Sequence, residues 1–161
     1  MTYYECYADE SLLKFLGLSS GELTGGHSFG RSFVSRKLQK ASDSIGFVDE
    51  DPHAPRDSYL NHLFSLLPIY SDDYMFCAKD SKTNNRLIVI RPDLETFAIK
   101  LAKQKHINLN DKKYGLSMNK SILHQMLMPR KNVQKREKLI SFFKDIDDHQ
   151  VVITLRKLIK Y

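Results

Sequence analysis

The stretch Ser44-Ile45-Gly46-Phe47-Val48-Asp49-Glu50-Asp51-Pro52 constrains the fold more than any other part of the chain. An apolar run climbs into a short acidic cluster and stops at a proline. A short apolar run bounded in this way predicts a buried strand. Residues two apart on a strand share a face, so Asp49 and Asp51 project the same way from its carboxyl end. Two carboxylates that close repel unless a cation or protons offset them. A divalent-metal site is therefore the first expectation.

The N-terminus supplies a companion. Tyr3 and Tyr4 read as a short aromatic strand that delivers Glu5. A helix is predicted to begin near Asp9, with Leu12, Leu13 and Leu16 as its apolar stripe and Gly17 as its stop. Asp9 is expected to cap it by accepting free N–H groups of the first turn. In another register the strand runs through Tyr7, and Asp9 or Glu10 becomes the acidic ligand. The leucine spacing favours Glu5.

The run Glu5-x-x-x-Asp9-x-x-x-Leu13-x-x-Leu16-Gly17, followed by Asp49-x-Asp51, resembles the Toprim domain. That family places a glutamate after one strand and an Asp-x-Asp pair after a later one. The resemblance covers roughly residues 1 to 95. Cys6 stands where the family often has glycine, and Pro52-His53-Ala54-Pro55 replaces a second one. The resemblance implies a Mg²⁺ site in which Glu5 acts as acid or base and Asp49 and Asp51 hold the ion. Overcoming-lysogenization-defect nucleases and other small stand-alone Toprim proteins are the most similar members. A further acidic residue after the core of such nucleases corresponds to Glu95, although a first-turn glutamate also serves its own helix.

The remaining pattern alternates. Glu22 to Thr24 predicts a brief strand, and Ser32 to Lys40 a helix. Ser58 to Leu67 predicts another helix, ended by Pro68. Strands follow over Asp73 to Ala78 and Leu87 to Ile90, then a long helix from Pro92 to about Lys105. Strands alternating with helices imply an α/β fold, a compact and largely parallel sheet flanked by helices. Ligands of such sheets gather at the carboxyl ends of the strands. Helices are predicted over Ser121 to Met128, Val133 to Asp145 and His149 to Lys160, with Lys131, Lys135, Arg136 and Lys138 facing outward. The chain thus divides into a Toprim-like α/β core at 1–95 and a basic helical extension at 96–161 packed on it.

Charge follows the same division. The net charge is +6, but residues 1–91 sum to −2 and residues 92–161 to +8. A basic half can hold a polyanion while an acidic half holds metal. The glycine-rich turn around Gly26 and His27 runs towards a helix whose first turn contains Arg31, a candidate phosphate site. Lys79 and Lys82 follow a strand and are the candidate lysines for a leaving group. Each has a plainer reading as a turn or surface residue. No stretch approaches the roughly 20 apolar residues of a membrane helix, and no signal peptide precedes the first strand. The two cysteines, Cys6 and Cys77, sit in apolar runs and read as reduced, buried thiols. A cytoplasmic protein is the expectation.

These features favour a Mg²⁺-dependent nuclease, with Mn²⁺ as a stand-in, cutting phosphodiester bonds of DNA or RNA. Its catalytic residues are Glu5, Asp49 and Asp51, and Asp9 joins them as a metal ligand. By analogy with the family it serves a bacterial defence or toxin system, with a partner such as a sensor or ATPase; self-association stays open. The alternative is a non-catalytic module that binds nucleic acid or protein and keeps a degenerate site. A metal-dependent phosphatase or a receiver-like protein phosphorylated on Asp49 is a third reading.

Overall fold

The computed structural model describes residues 1–25, 30–51 and 57–160. Six strands form one sheet in the order β2-β1-β3-β6-β5-β4. β1 (Thr2–Tyr4) is flanked in parallel by β2 (Leu23–Gly25) and β3 (Ile45–Asp49), and β3 pairs in parallel with β6 (Arg86–Ile90). β5 (Met75–Lys79) and β4 (Pro68–Ser71) complete the sheet antiparallel. The helices are α1 (Tyr7–Phe15), α2 (Gly30–Gln39), α3 (Ser58–Ser65), α4 (Leu94–Gln104), α5 (Lys120–Leu127), α6 (Val133–Asp145) and α7 (Gln150–Lys160). No described helix is long and apolar enough to cross a membrane.

The continuous apolar runs of β3, β5 and β6 follow from burial on both faces. Phe47, Cys77, Ile88 and Ile90 face a core shared with α1, α4, α5, α6 and α7. Val48, Phe76, Leu87 and Val89 face α2 and α3 on the other side. The first core reaches from Tyr4 to Ile159, so the C-terminal helices bury their stripes in the same cluster as α1. Gly46 sits where α2 crosses β3. A Cβ there would lie 2.5 Å from Leu38 Cδ1 and 3.0 Å from Val34 Cγ1, so any larger residue would force these buried side chains to shift. Gly17 ends α1 at φ +106°, in the left-handed region where glycine is strain-free.

Several expectations need correction. α1 begins two residues before Asp9, and its N-cap is Cys6. Asp9 occupies the third helical position, where its carboxylate accepts the Cys6 N–H and Cys6 Sγ faces the Asp9 N–H. This is a capping box with a thiol in place of a hydroxyl. Pro68 does more than end α3: it is the first residue of the edge strand β4, a position where a residue without an N–H is tolerated. Arg136 does not face outward. It is buried and donates to the carbonyls of Leu127, Pro129 and Arg130, while its guanidinium lies 5.2 Å from the Tyr7 ring centroid. The carbonyls freed at the end of α5 need donors, and charge pattern alone does not reveal that demand. Both cysteines are free, with Cys77 buried and Cys6 partly so.

Candidate acidic site at the carboxyl edge

β1, β3 and β6 run the same way, so their carboxyl ends share one edge. The chain leaves β1 for β2 on one side and later enters β3 on the other. The gap between β1 and β3 is therefore the point where strand order reverses, the usual ligand crevice of an open α/β sheet. Glu5 directly follows β1, and Asp49 is the last residue of β3. The Asp49 N–H donates to Glu5 Oε1 at 3.2 Å.

Asp9 enters the same space from the first turn of α1. It is only 1% exposed. Oδ2 accepts the Cys6 N–H at 2.9 Å, but Oδ1 is buried without a hydrogen-bond partner among the described residues. Asp49 Oδ1 is buried and unpartnered in the same sense. Burial, and then the charge of Glu5, push the Asp9 carboxyl up to about 7. Burial, then Asp9 and Glu5, push Asp49 well above the carboxylate range. Glu5 is also raised by burial, against the opposing pull of Arg31 and the Asp49 N–H. Burial and mutual repulsion thus favour the protonated forms of all three carboxyls.

Arg31, from the first turn of α2, is the cation already built in. It is 5% exposed. Its guanidinium donates to the carbonyls of Asp49 at 2.5 Å and Asp51 at 3.3 Å, and Nε lies 3.7 Å from Glu5 Oε1. Its two terminal nitrogens thus hold the end of β3, while Nε is buried without a hydrogen-bond partner among the described residues. It positions the acidic strand end and is not displayed as a phosphate clamp.

Asp51 is not a strand neighbour of Asp49. The ladder ends at Asp49: the N–H of Glu50 turns to Ile90 O and that of Asp51 to Pro92 O. The two-residue alternation stops there, and Asp51 is exposed. Two adjoining cavities express the difference. An inner one of about 230 Å³ is lined by Glu5, Cys6, Asp9 and Asp49, with Glu95 and His124. An outer one of about 670 Å³ is lined by Asp49, Asp51, Asp93, Glu95, Lys120 and His124, among others. Asp49, Glu95 and His124 border both.

Sequence reasoning named Asp49, Asp51 and Glu95 but missed Asp93, Lys120 and His124 of the outer wall. Glu95, in the first turn of α4, is 4% exposed and accepts from His124 Nδ1 at 2.9 Å. Asp93 caps α4 through the Thr96 N–H and pairs with Lys120 at 2.6 Å. The glutamate had a sequence signal as a first-turn acid; nothing in the sequence ties residue 124 to it. Glu10 pairs with Lys14 on α1, while the strand ends at Tyr4 and Glu5 directly follows it. Lys79 and Lys82 are misplaced as site lysines. β5 is antiparallel, so Lys79 pairs with Arg86 at the opposite edge of the sheet, and Lys82 lies in the turn beyond it. Gly26 and His27 lie outside the described residues, as does His53.

Among the described residues, no group of three or more His, Cys, Asp or Glu is placed to hold a metal ion. Comparison with protein-family models, curated proteins and solved structures finds no match.

Proposed function

We propose that this protein is a Mg²⁺-dependent phosphodiesterase that cuts DNA or RNA, as its resemblance to Toprim nucleases implies. One observation carries the reading: Asp9 Oδ1 and Asp49 Oδ1 are buried and unpartnered beside Glu5, at the reversal point of a parallel sheet. A buried carboxylate oxygen without a partner is costly and calls for a proton or a cation. The donor set is all hard oxygen, which suits Mg²⁺ and Mn²⁺. Glu5, Asp9 and Asp49 would hold the ion, with Asp51 at the outer mouth. Since their present placement does not close around an ion, occupancy requires these side chains to turn. A bound Mg²⁺ supplies water activation and charge stabilisation at phosphorus. Arg31 keeps the end of β3 in place and offsets part of the negative charge.

A second reading draws on the same open placement: a degenerate site in a module that binds nucleic acid or protein without cutting. A cytoplasmic effector working with a sensor or ATPase is the wider setting we infer by analogy.

The test is cleavage. With Mg²⁺ or Mn²⁺ the purified protein is expected to nick plasmid DNA or cut structured RNA, and Asp49→Asn or Asp9→Asn to abolish this. Cleavage that survives both substitutions refutes the reading. Nucleic-acid binding with neither cleavage nor Mn²⁺ uptake favours the binding module.

A further inference from the structure

The outer cavity has two unlike walls. Asp49, Asp51, Asp93 and Glu95 line one. The other is a single face of α5: Lys120, Ser121, His124 and Gln125 fall at i, i+1, i+4 and i+5. Leu123 and Leu127, three and seven residues on from Lys120, flank that face and are fully buried in the main core. Those leucines dock the helix.

Two polar links also join α5 to α4. Lys120 reaches Asp93 with its side chain 59% exposed, and His124 reaches Glu95 with its side chain 53% exposed. The carboxylate of each pair is the buried member, with Asp93 at 13% and Glu95 at 6% side-chain exposure. The pairs orient Lys120 and His124. A carboxylate accepts, so His124 Nδ1 carries a hydrogen towards Glu95. Among the described residues its other ring nitrogen makes no hydrogen bond or ion pair. An ammonium with one donor on Asp93 keeps two more for a ligand. Both side chains belong to the half of the chain with net charge +8, and both lie outside the stretch that resembles Toprim.

We propose that this face of α5 is a phosphate-binding wall, on which Lys120 and His124 grip a phosphodiester of the nucleic-acid strand. The carboxylates opposite repel phosphate unless a divalent cation bridges them, so the grip depends on the cation. This deepens the phosphodiesterase reading and rests on it for the identity of the ligand.

The test is binding, with Ca²⁺ in place of Mg²⁺ to prevent cutting. The probes are fluorescein-labelled single-stranded DNA and RNA of one sequence, followed by anisotropy. Lys120→Ala and His124→Ala are each expected to weaken binding about tenfold, the loss typical of a charge-assisted hydrogen bond. Lys120→Ala should also reduce the salt slope by about 0.7, as for one lost contact to a single strand. Asp93→Asn keeps a good N-cap but frees Lys120, and should bind at least as tightly as the native chain. Lys131→Ala serves as the surface control. Native affinity in Lys120→Ala and His124→Ala overturns the proposal. So does Asp93→Asn weakening binding as much as Lys120→Ala, since the pair would then only brace two helices. Mn²⁺ uptake should be unchanged in all the α5 variants. A native protein that takes up Mn²⁺ but does not cut defeats the phosphodiesterase reading, yet a tenfold loss in Lys120→Ala still upholds the wall; one that takes up no Mn²⁺ and binds neither probe overturns both.

Discussion

Asp9→Asn should make the metal-free protein more stable at pH 8 and leave it no more stable at pH 4. The substitution is nearly isosteric, and the amide oxygen can still accept the Cys6 N–H that Oδ2 now accepts. The carboxyl lies at about 7 in the folded protein against an ordinary 3.8. The native state therefore binds the proton more tightly than the unfolded chain. Between pH 3.8 and 7 stability falls as pH rises, and above 7 the full penalty persists. At about 1.4 kcal/mol per tenfold change in proton affinity, that penalty is on the order of 4 kcal/mol. Asparagine removes it and also relieves Asp49, whose own shift owes its second-largest part to Asp9. Against this, the new amide N–H₂ is buried where Oδ1 had no partner, at a cost of about 1–3 kcal/mol. A net gain of about 2 kcal/mol at pH 8 remains, or roughly 4–8 °C in Tm for a chain of this size. At pH 4 only the amide cost survives, so the variant should melt at or below the native temperature. Thermal denaturation in EDTA across this range reads the crossover. Equal destabilisation at both pH values refutes the argument, because Asp9 would then be an ordinary cap acceptor in no electrostatic distress.

Other outcomes follow from the same geometry. Mn²⁺ should raise the melting temperature of the native protein more at pH 8 than at pH 5, since protons compete for Glu5, Asp9 and Asp49 at the lower pH; a pH-independent shift would place the ion elsewhere. Gly46→Ala should cost about 1–3 kcal/mol in urea titration, the usual penalty for overpacking, because its Cβ meets Leu38 at 2.5 Å; a change below about 0.5 kcal/mol would mean α2 rides loosely on β3. Arg136→Met should destabilise by about 3 kcal/mol, because several carbonyls lose a charged donor at once. Native stability in that variant would show that water replaces the guanidinium.

The alternation of apolar runs with amphipathic helices was legible in the residues. The periods of strand and helix differ, and each needs only local sequence to be seen. The chain from Ile45 to Asp49 became β3, the run from Leu87 to Ile90 formed most of β6, and Val133 to Asp145 became a helix with the predicted ends. The meeting of Glu5 with Asp49 was legible too, because parallel strands bring their carboxyl ends together by topology. Other features depend on partners distant in sequence. Asp9 reads as a cap on its own, and only the fold reveals an unpartnered oxygen facing Glu5 and Asp49. Arg31 reads as a free phosphate donor until the end of β3 claims its guanidinium. Lys79 follows a strand as a site lysine should, but the antiparallel pairing of β5 carries it to the far edge. His124 had no local signal, because its link to Glu95 depends on how α5 packs across the start of α4. Residue spacing thus determined the elements and which acids end the parallel strands. Packing decided which charges are buried, which are paired, and which are left facing a cavity, since desolvation and hydrogen bonding depend on neighbours that only the folded chain brings together.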